Sequence, residues 1–145
     1  MSGFGEKSAR IADGYICMGP QADLIKLYRD EGGDGRPVQG GIKGCWAPDA
    51  DQARKTMHRL WPNDSIPGES AQFLPLPRHF GQLAQLVTED MISAPFGPDA
   101  EPYVEAIRAY TEADFDEVYL GQVGGRLEGA FDFLATEVLP QVRGD

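Results

Sequence analysis

The sequence predicts an α/β fold built from parallel strand-helix units. Candidate strands and helices alternate along the 145 residues, and the 41% hydrophobic content is enough for one ordinary core. The first strand candidate, Tyr15 to Met18, is apolar throughout, as expected of a strand that is buried on both faces. Alternation of this kind favours parallel strands joined by helical crossovers.

The first half of the chain predicts a helix, a strand and a second helix. Asp13-Gly14 is a turn pair that ends a short N-terminal helix before the strand at Tyr15 to Met18. We expect Pro20 to open the next helix at its first position, where no amide donor is needed. That helix should end before Gly32-Gly33, because glycine accepts the left-handed backbone of a helix end.

The second strand candidate is PVQGGIKGCW, from Pro37 to Trp46, and it is unusually rich in glycine. Glycines inside a strand indicate that a ligand or another part of the chain approaches closely. Asp49 and Gln52 then form a capping-box pattern that predicts a helix up to Pro62.

The rest of the chain predicts a long loop followed by further strand-helix units. Residues 62–77 contain four of the 11 prolines and show no periodicity, as in a functional loop or lid. The apolar spacing then predicts these elements: a helix from Arg78 to Asp90, a short strand near MISAPFG, a helix around Tyr103 to Tyr110, a strand at VYLGQVG and a closing helix from Leu127 to about Val142.

Charge and cysteine content limit the possible partners and location. The chain has 23 acidic and 13 basic residues, a formal charge of -10, which repels nucleic acid and anionic membrane surfaces. It shows no apolar run of the roughly 20 residues that span a bilayer and no signal peptide, so a cytoplasmic location is predicted. Cys17 and Cys45 are too few for a zinc site and are predicted to be reduced and buried.

Three or four strand-helix units cannot close an eight-stranded barrel by themselves, because that fold needs about 250 residues. An open sheet is one alternative. If the chain is part of a barrel, two strand edges and apolar surface on the missing side are exposed and must be covered.

Five segments carry a specific resemblance: SGFGEKSARIADGYI, LWPNDSIPGE, LPLPRHF, LVTEDM and FDEVYLGQVG. The chain resembles the luciferase-like oxidoreductases that use coenzyme F-420, in particular the relatives of the F-420-dependent glucose-6-phosphate dehydrogenase. The resemblance covers essentially the whole chain but corresponds only to the C-terminal half of a family member. The family carries a few more helical residues between Ser8 and Ala9.

This resemblance implies a fold of about half a (β/α)8 barrel over residues 1–145, a single C-terminal half-barrel domain with a long loop at about 62–77. YICMG, PVQGGIKGCW and VYLGQVG would be its strands six, seven and eight, and Met1-Ser2-Gly3 would be a start at the end of strand five. Self-association to a homodimer, or a complementary N-terminal half, would close the barrel.

The implied cofactor is coenzyme F-420, an 8-hydroxy-5-deazaflavin, held at the carboxyl ends of the strands. Ser2, Gly3, Phe4 and Gly5 match the segment that cradles its phosphate-bearing side, where a glycine-containing loop offers amide donors to an anion. A flexible N-terminus is the alternative for these residues. Cys17 and Met18 match the positions beside the deazaflavin, with a role in the core as the alternative.

The implied substrate contacts are Gln21, Lys43 and Gln122. Gln21 stands where the glucose-6-phosphate enzymes carry a phosphate-binding lysine, and a neutral amide cannot supply that charge. The family's other basic phosphate-binding positions fall near Pro67 to Ala71 and Asp90-Met91, and neither place is basic here. Lys43 either points into the barrel, where it needs an anion, or into solvent. Gln122 either faces the substrate cavity or makes a hydrogen bond across the barrel.

The functional expectation is part of an oxidoreductase that transfers a hydride between the deazaflavin and an unidentified small-molecule substrate. The histidine, tryptophan and glutamate that the family uses around the reacting ring belong to its N-terminal half, so this chain alone is expected to be inactive and carries no catalytic residue. The alternative is a non-catalytic half-barrel that dimerises or only binds the cofactor.

Overall fold

A computed structural model describes Lys7 and residues 9–68 and 70–143. It contains a three-stranded sheet of order β1-β2-β3, with β1 at Tyr15–Cys17, β2 at Val38–Gly44 and β3 at Glu117–Gln122. β1 and β2 are parallel, with Ile16 opposite Gln39. The predicted α/β class and parallel pairing are therefore confirmed.

Residues 9–11 are helical before β1, and six further α-helices accompany the sheet in the described part of the chain. They are α1 (Ala22–Tyr28), α2 (Ala50–Leu60), α3 (Pro77–Ala84), α4 (Glu101–Glu112), α5 (Leu127–Phe133) and α6 (Leu139–Arg143). A π-helical turn at Arg29–Gly33 follows α1. A second one, at Leu134–Val138, joins α5 to α6. None of the described helices has both the length and the apolar character to cross a membrane.

Two predicted helix boundaries were wrong. Gly19 adopts a left-handed backbone with φ of 99°, and the Gln21 amide donates to its carbonyl at 2.9 Å, so Pro20 lies in a tight turn and α1 begins only at Ala22. The helix predicted from Arg78 to Asp90 spans Pro77–Ala84, and a separate 3-10 turn at Glu89–Met91 follows the extended Thr88.

The predicted short strand at MISAPFG is reduced to one bridge between Phe96 and Cys45. The described residues of the predicted loop at 62–77 include two 3-10 turns, at Pro62–Ser65 and Ser70–Phe73. Asp49 caps α2 as predicted, with its carboxylate accepting the Gln52 amide at 2.7 Å.

The chain divides into two compact units, each with its own core. The first comprises residues 1–42 and 104–121, and the second comprises residues 43–103 and 122–145. The core of the first unit includes Cys17, Ile25, Tyr28, Val38, Ile42, Tyr110 and Phe115. The core of the second includes Cys45, Ala53, Met57, Val87, Ile92 and Val123.

One face of the sheet in the first unit carries exposed apolar side chains. Ile16 is 65% exposed beside Gln39, and the ring of Tyr119, which is 50% exposed, lies against Gly41. We call these four residues the open face. On the other side of β2, Gly40 lies against the buried ring of Tyr110. Exposed residues of this size on a sheet indicate a surface that another element covers.

Arg29 joins the end of α1 to the segment that leads into β3. Its guanidinium contacts the carboxylates of Asp114 and Asp116 at 3.0 Å each and donates to the Arg36 carbonyl at 2.8 Å. Asp116 also accepts the Val38 amide of β2 at 2.7 Å. These bonds fix the entrance of β3 next to that of β2.

We expect Asp116→Asn to lower the free energy of unfolding by about 1 kcal/mol near neutral pH, a modest loss because solvent screens this half-exposed carboxylate. The Val38 amide, and then the Arg29 guanidinium, hold the pKa of Asp116 below its ordinary value. The carboxylate therefore stabilises the fold above about pH 4, and this contribution is lost as the pH falls through the folded-state pKa.

Thermal unfolding at a series of pH values measures this contribution. The difference between the native chain and Asp116→Asn should shrink at acid pH. Asp132→Asn, a change of an exposed carboxylate on α5, should have little effect on stability near neutral pH. A difference that stays constant with pH would contradict the role of the charge.

Candidate functional site

The end of β1 in the first unit carries three of the predicted site residues. Cys17 is buried in the core, whereas Met18 is 58% exposed and its sulfur lies 3.6 Å from the Tyr119 hydroxyl. Gln21 is exposed just before α1 and its side chain makes no cap hydrogen bond. Met18 is thus open to a ligand, while Cys17 packs toward the helices. Ser2, Gly3, Phe4 and Gly5 lie outside the described residues.

The turn after β1 is held by a tyrosine that the sequence did not single out for function. The Tyr110 hydroxyl of α4 accepts the Gly19 amide at 3.0 Å and donates to the Gly41 carbonyl at 2.9 Å. Tyr110 therefore ties the turn next to Met18 and Gln21 to the middle of β2. Only the apolar spacing of α4 pointed to this residue, and it predicted packing rather than a hydrogen bond.

Both cysteines are free and buried, as predicted. Burial raises the pKa of the Cys17 thiol and of the Cys45 thiol. A thiol is a poor nucleophile and a poor metal ligand while it stays protonated, so neither residue has the character of a catalytic cysteine. Within the described residues, no three histidine, cysteine or carboxylate side chains converge as a metal ion would require.

Lys43 in the second unit is half-buried near the end of β2, and its Nζ lies 5.0 Å from the centre of the Trp61 ring. This distance is typical of a cation-π contact. Among the described residues Lys43 forms no salt bridge, so an aromatic ring rather than a carboxylate accompanies its charge. The sequence missed Trp61 as a partner because 18 positions separate the two residues (61 minus 43).

Gln122 at the end of β3 is engaged by the neighbouring chain segment. Its Oε1 accepts the Trp46 amide at 2.9 Å, and its Nε2 donates to the Trp46 carbonyl at 3.1 Å. Both ends of the side-chain amide are therefore occupied by the backbone of one residue just after β2. Its contact with a substrate stays a prediction.

We expect Gln122→Ala to lower the free energy of unfolding by about 2 kcal/mol, because it leaves the amide and the carbonyl of the half-buried Trp46 without their partner. Urea unfolding measures the change. Gln82→Ala, the same substitution at an exposed position of α3, should change stability by less than about 0.5 kcal/mol. Equal losses in the two variants would show that the hydrogen bonds to Trp46 do not stabilise the fold.

His58 of α2 packs against another segment of the second unit. The residue is half-buried, and its Nε2 lies 2.7 Å from the Val87 carbonyl. A carbonyl only accepts, so Nε2 carries a proton in this contact. The imidazole thus links α2 to the segment after α3.

Comparison with known proteins gives matches among solved structures only. No protein-family model matches the chain, and no curated protein matches it. An F-420-dependent secondary alcohol dehydrogenase, solved with an F-420-acetone adduct, matches 98% of this chain with a TM-score of 0.72 and 20% identity. The coenzyme F-420-dependent tetrahydromethanopterin reductase from Methanopyrus kandleri matches 98% with a TM-score of 0.63 and 19% identity.

These matches support the α/β fold with parallel strands that the sequence predicted. The chain spans about half the length of both solved structures, 46% of the dehydrogenase and 49% of the reductase.

Proposed function

We propose that this chain forms the C-terminal half of the (β/α)8 barrel of a coenzyme F-420-dependent oxidoreductase, and that residues 1–145 act as one half-barrel domain. The supporting observation is that its fold matches part of two different F-420-dependent enzymes over nearly all of this chain. The reaction is hydride transfer between the deazaflavin and a small-molecule substrate. The cytoplasmic location stays a prediction, in keeping with two free thiols.

The open face supports the need for a complementary half. Ile16 and Tyr119 expose apolar surface on a sheet, and the matched solved structures have about as much chain again beyond the part that corresponds to this one. Covering this face removes apolar area from water, at about 25 cal/mol for each Å². A complementary N-terminal half is therefore the main proposed partner.

The residues at the end of β1 provide part of a binding surface for the planar deazaflavin ring. Met18 and Tyr119 present adjoining exposed apolar surface, and thioether sulfur packs favourably against aromatic systems. The bound cofactor would supply the hydride chemistry, whereas these side chains would orient its ring and exclude water from it. The Ser2 to Gly5 segment is proposed to hold the phosphate-bearing side, and Gln21, Lys43 and Gln122 to contact substrate.

The first experiment is a fluorescence titration of oxidised coenzyme F-420 with the purified chain and with its mixture with the N-terminal half of a related F-420-dependent enzyme. Saturable binding is expected, with Met18→Glu weakening it because a carboxylate replaces an apolar contact. Leu86→Glu introduces the same charge at a 71% exposed residue after α3 and should bind like the native chain. Absence of binding both alone and in the mixture would overturn the proposal.

The second experiment follows deazaflavin absorbance in the same mixture with secondary alcohols as trial substrates. The chain alone should show no turnover, and the mixture should restore it. Turnover by the chain alone would show that the reacting groups are present here and would contradict the assignment of catalysis to the other half.

A non-catalytic dimer is the second candidate, and the open face favours it as well. Two copies related by a twofold axis would cover the same apolar residues on each other. Sizing in solution separates the two candidates: a dimer whose dissociation coincides with unfolding supports the second, whereas a monomer that takes up the complementary half supports the first.

A further inference from the structure

A small cavity in the second unit lies where β2 and β3 end. Its volume is about 190 Å³, and its wall includes Gln52, Thr56 and Arg59 of α2 and the segment Gly124-Gly125-Arg126 that follows β3. A water molecule takes about 30 Å³ of liquid, so the space exceeds that of several waters. The cavity is therefore large enough for a small polyatomic group.

The charge of this cavity is opposite to that of the chain. Two arginines and no carboxylate line it, although the whole chain carries a formal charge of -10. The neighbouring depression on the same helix adds Lys55, next to Arg59. That depression also holds Asp49, which accepts the Gln52 amide, and Asp51, which pairs with Arg54, but neither carboxylate lines the cavity itself. Positive charge is thus gathered at a place where nothing in the cavity wall neutralises it.

The arginines retain free donors. Arg126 donates from Nη2 to the Gln52 side chain at 3.0 Å, a neutral acceptor that leaves its charge uncompensated. Arg59 is exposed and forms no salt bridge with any described residue. A guanidinium has five N–H donors in a fixed planar arrangement, so each side chain has donors left for an anion.

The glycine turn leaves the floor of the cavity open. Gly124 has φ of 97°, a left-handed backbone that favours glycine, and a Cβ there would lie 3.0 Å from the Thr56 methyl carbon. A Cβ on Gly125 would meet no atom within 4 Å. The Gln122 side chain, whose amide bonds both polar groups of Trp46, does not compete for a ligand.

From this geometry we infer that the cavity binds the phosphate group of a small-molecule ligand. One bidentate arginine satisfies a carboxylate, whereas a phosphate dianion has enough oxygens and charge for two guanidinium groups. The residues near Gln21 and Asp90, where the sequence lacks basic side chains, do not contribute to this site. The inference does not depend on F-420 binding, since it rests on residues of the second unit alone.

Calorimetric titration of the purified chain with inorganic phosphate, at constant ionic strength, tests the inference. We expect saturable binding that Arg59→Gln and Arg126→Gln each weaken about tenfold or more, the loss expected when a charge-assisted hydrogen bond is removed. Arg78→Gln removes the same charge from an exposed position of α3 and should bind like the native chain. Thermal unfolding of the three variants verifies that each is folded.

Three results would overturn the inference. They are no saturable heat of phosphate binding at constant ionic strength, a loss of phosphate affinity in Arg78→Gln equal to that in the two cavity variants, or acetate binding as tightly as phosphate. Displacement of phosphate by coenzyme F-420 would identify the cofactor as the source of the phosphate group. Binding of F-420 without displacement of phosphate would point to a phosphorylated substrate, and both results support the site. Phosphate binding without any F-420 binding would support this inference and count against the proposed function, so the two proposals fail separately.

Discussion

Replacing Gly40 with alanine is expected to lower the free energy of unfolding by about 3 kcal/mol. A Cβ at this position would lie 2.5 Å from Cδ1 of Tyr110 and 3.0 Å from Cδ1 of Phe115. Both rings are buried and pack edge to face with centroids 4.9 Å apart, so neither can move without breaking the core of the first unit. The added methyl group therefore has no space.

Gly41→Ala is the matched control, because the same methyl group is added one residue along β2 on the open face. Its Cβ would lie 2.5 Å from the Tyr119 hydroxyl, but Tyr119 is half-exposed and is free to rotate away. We expect Gly41→Ala to lower the free energy of unfolding by about 1 kcal/mol or less. Urea unfolding of the two variants measures the difference, and equal losses would show that Gly40 is not packed under a fixed ring.

These glycines also show how far the sequence predicts the fold. Their presence in an apolar strand indicated close approach, and the structure confirms it with Tyr110 against Gly40 and Tyr119 against Gly41. The sequence left open whether a ligand or another part of the chain approaches. Two aromatic side chains of this chain occupy those positions, and the alternation of strands and helices was enough to predict the parallel pairing around them.

The sequence predicted the end of a helix or strand correctly where a side chain binds the backbone a few residues away. Asp49 begins α2 because its carboxylate binds an amide three residues later. Pro20 failed as a helix start because the left-handed backbone of Gly19 places it in a turn. The Tyr110 hydroxyl, which holds the Gly19 amide, comes from a residue 91 positions away.

The candidate site was less predictable because its contacts join distant segments. Lys43 with Trp61, Gln122 with Trp46 and Arg59 beside Arg126 share no periodicity along the sequence. The residue types at Lys43 and Gln122 suggested polar contacts, but only the fold determines which groups meet. Arg59 and Arg126 gave no sequence signal, since single arginines on helices are ordinarily solvated.

Replacing Tyr110 with phenylalanine is expected to lower the free energy of unfolding by about 2 kcal/mol. The ring and its packing on Gly40 remain, but the Gly19 amide and the Gly41 carbonyl lose the hydroxyl that joins them. Because Tyr110 is only 6% exposed, water replaces that hydroxyl poorly. The turn between β1 and α1 should loosen, and hydrogen exchange at the Gly19 amide should accelerate.

Tyr119→Phe removes a hydroxyl whose hydrogen-bond partner among the described residues is the Met18 sulfur, at 3.6 Å on an exposed surface, so it should change stability by less than about 0.5 kcal/mol. If F-420 binds at the end of β1, Tyr110→Phe should weaken that binding in the fluorescence titration, because Met18 and Gln21 flank the loosened turn. Unchanged exchange at Gly19 in Tyr110→Phe would show that the turn is held by its own backbone, and the link from α4 to the proposed cofactor site would then be lost.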